Sequence, residues 1–198
     1  MMKKRIFMLA AVAVTVFSLS ACKKAPVSSE QYDALNAMFD ASYSEIKLTV
    51  KDTFDEDTWL KSEYTIKYSN TEITVEYAVE QFTELSLDSP ITDFKTTLAG
   101  TAVIKNGAID SIEGDNVGLT ANIATVKLHF AKDYFKNFFL MDDFLTTDVK
   151  NASAFLGAQI DCSDMKVTAA FLEVFSRIDI TFKSSSGNTV QYAYVFTV

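Results

Sequence analysis

Histidine occurs once in the 198 residues and cysteine twice. One histidine leaves no basis for a His-built zinc centre or a His-based catalytic triad. Two cysteines cannot form a disulfide scaffold. Proline (2) and glycine (6) are scarce while 13% of residues are aromatic, a balance that excludes a disordered or fibrous chain. Basic residues are the minority, 18 against 26 acidic ones, giving a formal charge of −8. Phosphate binding needs clustered Lys and Arg, so nucleic acid is not expected as a partner. The chain also lacks a P-loop, a GxSxG elbow, an SxxK motif, a dinucleotide fingerprint and an HExxH pair. No motif argues for an enzyme, a metal or a cofactor, and the expectation is a non-enzymatic protein.

What is present begins at the N-terminus. Lys3, Lys4 and Arg5 form a positive segment, and Ile6 to Phe17 follows as an apolar run interrupted only by Thr15. About a dozen apolar residues are too few to cross a hydrocarbon layer of about 30 Å, so the run reads as a cleavable export signal. It ends in Leu19-Ser20-Ala21-Cys22.

Those four residues resemble the lipobox of bacterial lipoproteins. The resemblance implies diacylglycerol on the Cys22 thiol and cleavage between Ala21 and Cys22. It also implies an exported protein, lipid-anchored to the bacterial cell membrane or outer membrane. Residues 1–21 are then the signal peptide, 22–29 the lipidated cysteine and tether, and 30–198 a single domain. Removing the three cations of the signal takes the formal charge from −8 to −11. Lys23 and Lys24 lie beside the anchor, where each adds about 1 kcal/mol of attraction to anionic lipid or merely keeps the tether soluble. With Cys22 thioether-linked, Cys162 has no partner in the chain and reads as a small apolar residue.

Patterning predicts an α+β domain. Ser28-Ser29-Glu30-Gln31 fits a capping box, and Tyr32, Leu35 and Phe39 follow at helical spacing, so a helix is expected from about Ser29 to Ala41. Ile46, Leu48 and Val50 alternate with polar residues, as do Leu60, Tyr64, Ile66 and Tyr68, then Ile73, Val75, Tyr77 and Val79. Alternation of this kind marks an antiparallel sheet with one wet face. Asp93 to Lys105 reads as a further strand. Asn106-Gly107 then makes the strongest hairpin signal, with a return strand over Ala108 to Ile112. A last hairpin joins about Val174 to Lys183 with Thr189 to Val198. Gly118 to Phe130 suits either a helix or a strand.

Between these hairpins, Ala131, Tyr134, Phe135, Phe138, Phe139 and Asp142 share one helical face, and the spacing predicts an aromatic helix. A second short helix is expected from an Asp148 cap through Ala152, Phe155 and Leu156 to Gly157. The expected fold is thus a curved antiparallel sheet of about seven to eight strands. An N-terminal helix precedes it, and one or two helices are inserted before the last strands.

Phe135, Phe138, Phe139, Met141 and Phe144 are the candidate apolar pocket, with the aromatic helix as a lid or as core packing. The element order is similar in outline to the LolA-like lipid-carrier lipoproteins. That likeness implies an apolar small molecule as ligand; a partner protein is the other expected class of partner, beside the membrane itself. Two rival readings stand next to this one, an envelope hydrolase using surface carboxylates and a structural or inhibitory interaction module. The acidic run Asp52, Asp55, Glu56, Asp57 reads as a solvated turn, since it lacks the glycine and spacing of an EF-hand, with a calcium site as the lesser alternative; the run Asp110, Glu113, Asp115, Asn116, beside Gly114, is read the same way.

Overall fold

The computed structural model of the chain describes residues 28–55, 58–84, 93–125, 128, 139–141, 144–149, 151–156 and 161–198. Within them, helix α1 (Ser29–Ala37) runs into a 3-10 turn (Met38–Asp40). Five strands follow: β1 (Glu45–Thr53), β2 (Thr58–Tyr68), β3 (Ile73–Glu84), β4 (Asp93–Lys105) and β5 (Ala108–Gly114). A 3-10 turn (Ala121–Ala124) precedes the second half. That half holds β6 (Phe139–Met141), β7 (Phe144–Val149), helix α2 (Ala152–Leu156), β8 (Cys162–Phe171), β9 (Phe175–Ser184) and β10 (Thr189–Thr197).

All ten strands share one antiparallel sheet in the order β5-β4-β3-β2-β1-β10-β9-β8-β7-β6. Each half of the chain is a five-stranded meander, and the halves join where the first strand pairs with the last. Glu45 lies opposite Thr197 at one end of that seam and Thr53 opposite Thr189 at the other. The sheet is larger than the seven to eight strands expected from the sequence.

Period-2 patterning explains which face is buried. Ile46 and Leu48 of β1, Ile66 of β2, Val75 and Tyr77 of β3, and Ile178, Ile180 and Phe182 of β9 are all buried on one side of the sheet. The opposite face carries charge pairs such as Lys67–Glu76 at 2.6 Å and Arg177–Asp179 at 2.6 Å. These exposed pairs keep that face solvated and add little stability. Leu35 of α1 covers the apolar face, and Phe39 seats its ring 4.6 Å from that of Phe175. Asn106 and Gly107 take φ of 52° and 75° in the β4–β5 turn, the left-handed pair that such a hairpin needs.

Three expectations need correction. Phe139–Met141 is strand β6, paired with β7, where the aromatic spacing suggests a helix that continues to Asp142; residues 131–138 of that helix lie outside the described residues. Aromatic side chains suit strands at least as well as helices, and pairing to a neighbouring strand decides between them. Asp148 lies in β7 opposite Lys166 and caps no helix, although α2 does form and buries Ala152 and Phe155. Asp52 belongs to no turn: it extends β1, opposite Leu60 and Val190.

Candidate functional site

The buried face of the central strands is unusually rich in tyrosine. Along β10, Tyr192, Tyr194 and Phe196 project to the same side, spaced by the pleat. Their rings stack at 6.5 Å (Tyr192–Tyr194) and 6.1 Å (Tyr194–Phe196). Phe182 extends the stack at the Tyr192 end, 5.8 Å away, and Tyr43 caps the Phe196 end at 4.7 Å. The result is a continuous aromatic ladder beneath the middle of the sheet.

Across that face lies the segment between β5 and the second meander. Tyr77 of β3 donates its hydroxyl to the main-chain oxygen of Asp115, and Tyr68 of β2 donates to that of Ala124 at 2.7 Å. Asp115 is fixed further by its own Oδ2, which accepts from the Ala99 main-chain N–H at 2.9 Å. Residues 115–125 are therefore a strap held at both ends by tyrosines rising from the sheet. Val117, Leu119, Ala121 and Ile123 of the strap pack against the core.

Two cavities open between strap and sheet. The first, of about 510 Å³, has a floor of Leu48 and Val50 (β1), Ser62 and Tyr64 (β2), and Tyr192 and Tyr194 (β10). Its roof is Thr120, Asn122, Ile123 and Thr125 of the strap with Leu156 of α2. The second, of about 490 Å³, is bounded by Phe39, Tyr43, Ile46, Tyr68 and Phe196, with Ala124 and Thr125 of the strap. Thr125 borders both, and the aromatic ladder runs under both. Among the described residues, no charged side chain lines either one. Their volumes suit small-molecule sites; both are open on one side and mix polar with apolar lining.

Burial perturbs the phenols here. It pushes Tyr68 and Tyr43 up to about 12, with a main-chain hydrogen bond at Phe175 opposing the shift at Tyr43. Tyr194 is raised further, by burial and then by the neighbouring Tyr192. Tyr192 is raised by burial, then by the charge of Asp52, then by Tyr64. All stay protonated at neutral pH, serving as hydrogen-bond donors and π surfaces.

Phe135 and Phe138 lie outside the described residues, as does Cys22. Phe139 and Met141 occupy β6 at the far edge of the sheet, and Phe144 in β7 lies opposite Met141 and Ala170. Among the described residues, the two cavities are lined from β1, β2, β10, the strap and the helical segments. The tyrosine floor is visible in the alternation of β2 and β10 but reads from sequence as ordinary core. Of the acidic runs, Asp110 bonds Lys105 at 3.0 Å and Asp115 anchors the strap. Among the described residues no group of three or more His, Cys, Asp or Glu could hold a metal ion. Cys162 is a free thiol, its pKa raised by burial and then by Asp161, which disfavours the nucleophilic thiolate.

No protein-family model matches this chain, and no curated protein matches it significantly.

Proposed function

We propose that this protein is a membrane-tethered bacterial lipoprotein, a non-enzymatic binding domain that holds an elongated apolar molecule between its strap and its sheet. The observation that supports this most is the pair of uncharged cavities sharing Thr125 and lying end to end over one aromatic ladder. A hydrocarbon chain gains about 0.8 kcal/mol for each methylene it buries in such a space. Residues 115–125 cover these cavities; most of the Phe-rich segment read from sequence as a lid lies outside the described residues.

The lipobox supplies the address. An acyl-modified Cys22 puts the domain beside a reservoir of apolar ligands, with only the short 22–28 segment between anchor and α1. A single acyl chain anchors marginally, and a diacylglyceryl group holds durably.

Both halves of the reading are testable. Radiolabelled palmitate should enter the protein, and Cys22→Ala should abolish labelling and membrane retention; unchanged fractionation of the variant would refute the anchor. The chain from residue 23 carries every described element. Native mass spectrometry of that chain, purified from bacteria, should show co-purifying lipid. A clean unliganded mass that persists after incubation with total lipid extract would remove the binding reading.

A further inference from the structure

The strict alternation of β1 carries one residue out of character. Ile46, Leu48, Val50 and Asp52 occupy successive positions on the inner face, about 6.6 Å apart. Val50 lines the larger cavity, so Asp52 stands one step beyond its floor, towards the β1–β2 turn. Its cross-strand neighbours are apolar, Leu60 on one side and Val190 on the other. Its Oδ1 is buried, and no hydrogen-bond partner among the described residues reaches it. Leaving a buried acceptor unmatched is costly, and more so when the group is charged.

Among the described residues, the two lysines that β1 and β2 carry beside Asp52 sit on the other face of the sheet. Lys51 lies on the opposite face of β1, its Nζ 5.6 Å from the Trp59 ring centroid. Lys61, also on that outer face, pairs with Glu63 at 2.8 Å. By contrast, Tyr192 faces both Asp52 and the cavity: it feels the Asp52 charge and forms part of the cavity floor. The aromatic ladder thus runs from an uncharged cavity to a partly buried carboxylate with one unmatched oxygen.

From this juxtaposition we infer that Asp52 is the polar terminus of the site and selects apolar ligands that carry an ammonium head group. The inference rests on the binding reading above. An ammonium would donate to Oδ1, neutralise the carboxylate and lie against the electron-rich face of Tyr192, while its alkyl chain runs beneath the strap. A neutral hydroxyl supplies the donor without the charge, and a carboxylate head is repelled.

The test compares dodecylammonium, dodecanol and dodecanoate, each below its solubility or micellar limit at neutral pH, by displacement of an apolar fluorophore from residues 23–198. Dodecylammonium should bind about tenfold or more tightly than dodecanol, and dodecanoate weakest. Asp52→Asn, nearly isosteric, should bring the first two within about twofold while dodecanol binding is kept. If all three bind the wild type equally, or if the preference survives Asp52→Asn, the selectivity is overturned and the binding reading stands. If none of the three binds, both fail. Should Asp52→Asn not fold, Asp52→Ser and the wild-type ranking decide the matter.

Discussion

The Tyr68 hydroxyl meets the Ala124 carbonyl at 2.7 Å, tying β2 to the far end of the strap across 56 residues. The bond is partly buried, and Tyr68 also walls the smaller cavity. Tyr68→Phe keeps the ring and removes the tie. It should cost about 1–2 kcal/mol, since the Ala124 oxygen loses its donor. Hydrogen exchange should rise in residues 121–125 more than in β2 or β3. Equal protection of the strap in both proteins would show that its packing alone holds it.

The buried phenols set an alkaline limit. Tyr43 and Tyr68 ionise at about 12 in the fold against 10.0 ordinarily, so below pH 10 they are neutral in both states. Above it the unfolded chain releases protons first. It then binds fewer protons than the native state, and stability falls as pH climbs from 10 towards 12. The urea midpoint should drop between about pH 9 and about pH 11, with a shallower fall in Tyr68→Phe. A midpoint unchanged over that interval would contradict the burial of these groups.

Much of the first meander is legible in the sequence. Alternation marks β1 to β3 because each strand has one wet face, and Asn106-Gly107 marks the β4–β5 hairpin because few other residues tolerate φ of 52° and 75° in succession. The second meander is harder to read. Met165, Val167, Ala169 and Phe171 do alternate with Lys166, Thr168 and Ala170, but the adjacent Ala169 and Ala170 blur the period and leave β8 unmarked. In β7 the inward position between Leu145 and Val149 is Thr147, a buried polar residue that hides the stripe. Phe139 and Met141 fit either period, and only pairing with β7 decides. The site is less legible still. Tyr68 and Tyr77 look like core tyrosines, and their roles as struts arise from partners 56 and 38 residues away. Asp52 carries a usable signal, since Ile46-Leu48-Val50-Asp52 keeps the strand period, but the run of acids after it suggests a turn.

Gly100 is required by its neighbours and not by its backbone angles. A Cβ there would strike the Tyr77 hydroxyl and the main-chain oxygen of Glu113. Gly100→Ala must therefore displace the ring that supports the near end of the strap, or spread β4 from β5. Overpacking of this kind costs about 1–3 kcal/mol. In the Tyr77→Phe background the nearest clashing atom is gone, so the added cost of Gly100→Ala should be smaller, though not zero, because the Glu113 oxygen and the ring carbon Cζ remain. Chemical denaturation of the four proteins in the cycle measures this coupling. Strict additivity would mean that Tyr77 does not occupy the space beside Gly100.

Phe175 joins the N-terminal helical segment to the second meander. Its side chain is fully buried at the start of β9. Its ring lies 4.6 Å from Phe39 in the turn after α1, and 6.1 Å edge-on from Phe171 at the end of β8. The backbone between Phe171 and Phe175 carries the exposed Leu172, whose N–H donates to the Val174 oxygen at 3.2 Å, so the aromatic pair holds the hairpin tip from within while this bond closes the turn. Phe175→Ala opens a cavity that three elements cannot all close, and should cost about 3–5 kcal/mol in urea unfolding. Phe39→Ala should cost less, because Phe39 is only partly buried, and the two changes should couple by about 0.5–1.5 kcal/mol through the lost ring contact. Since Phe39 also borders the smaller cavity, Phe39→Ala should weaken apolar ligand binding as well. A Phe39→Ala protein that loses stability yet binds apolar probes unchanged would separate the helical segment from the site and confine its role to covering the core.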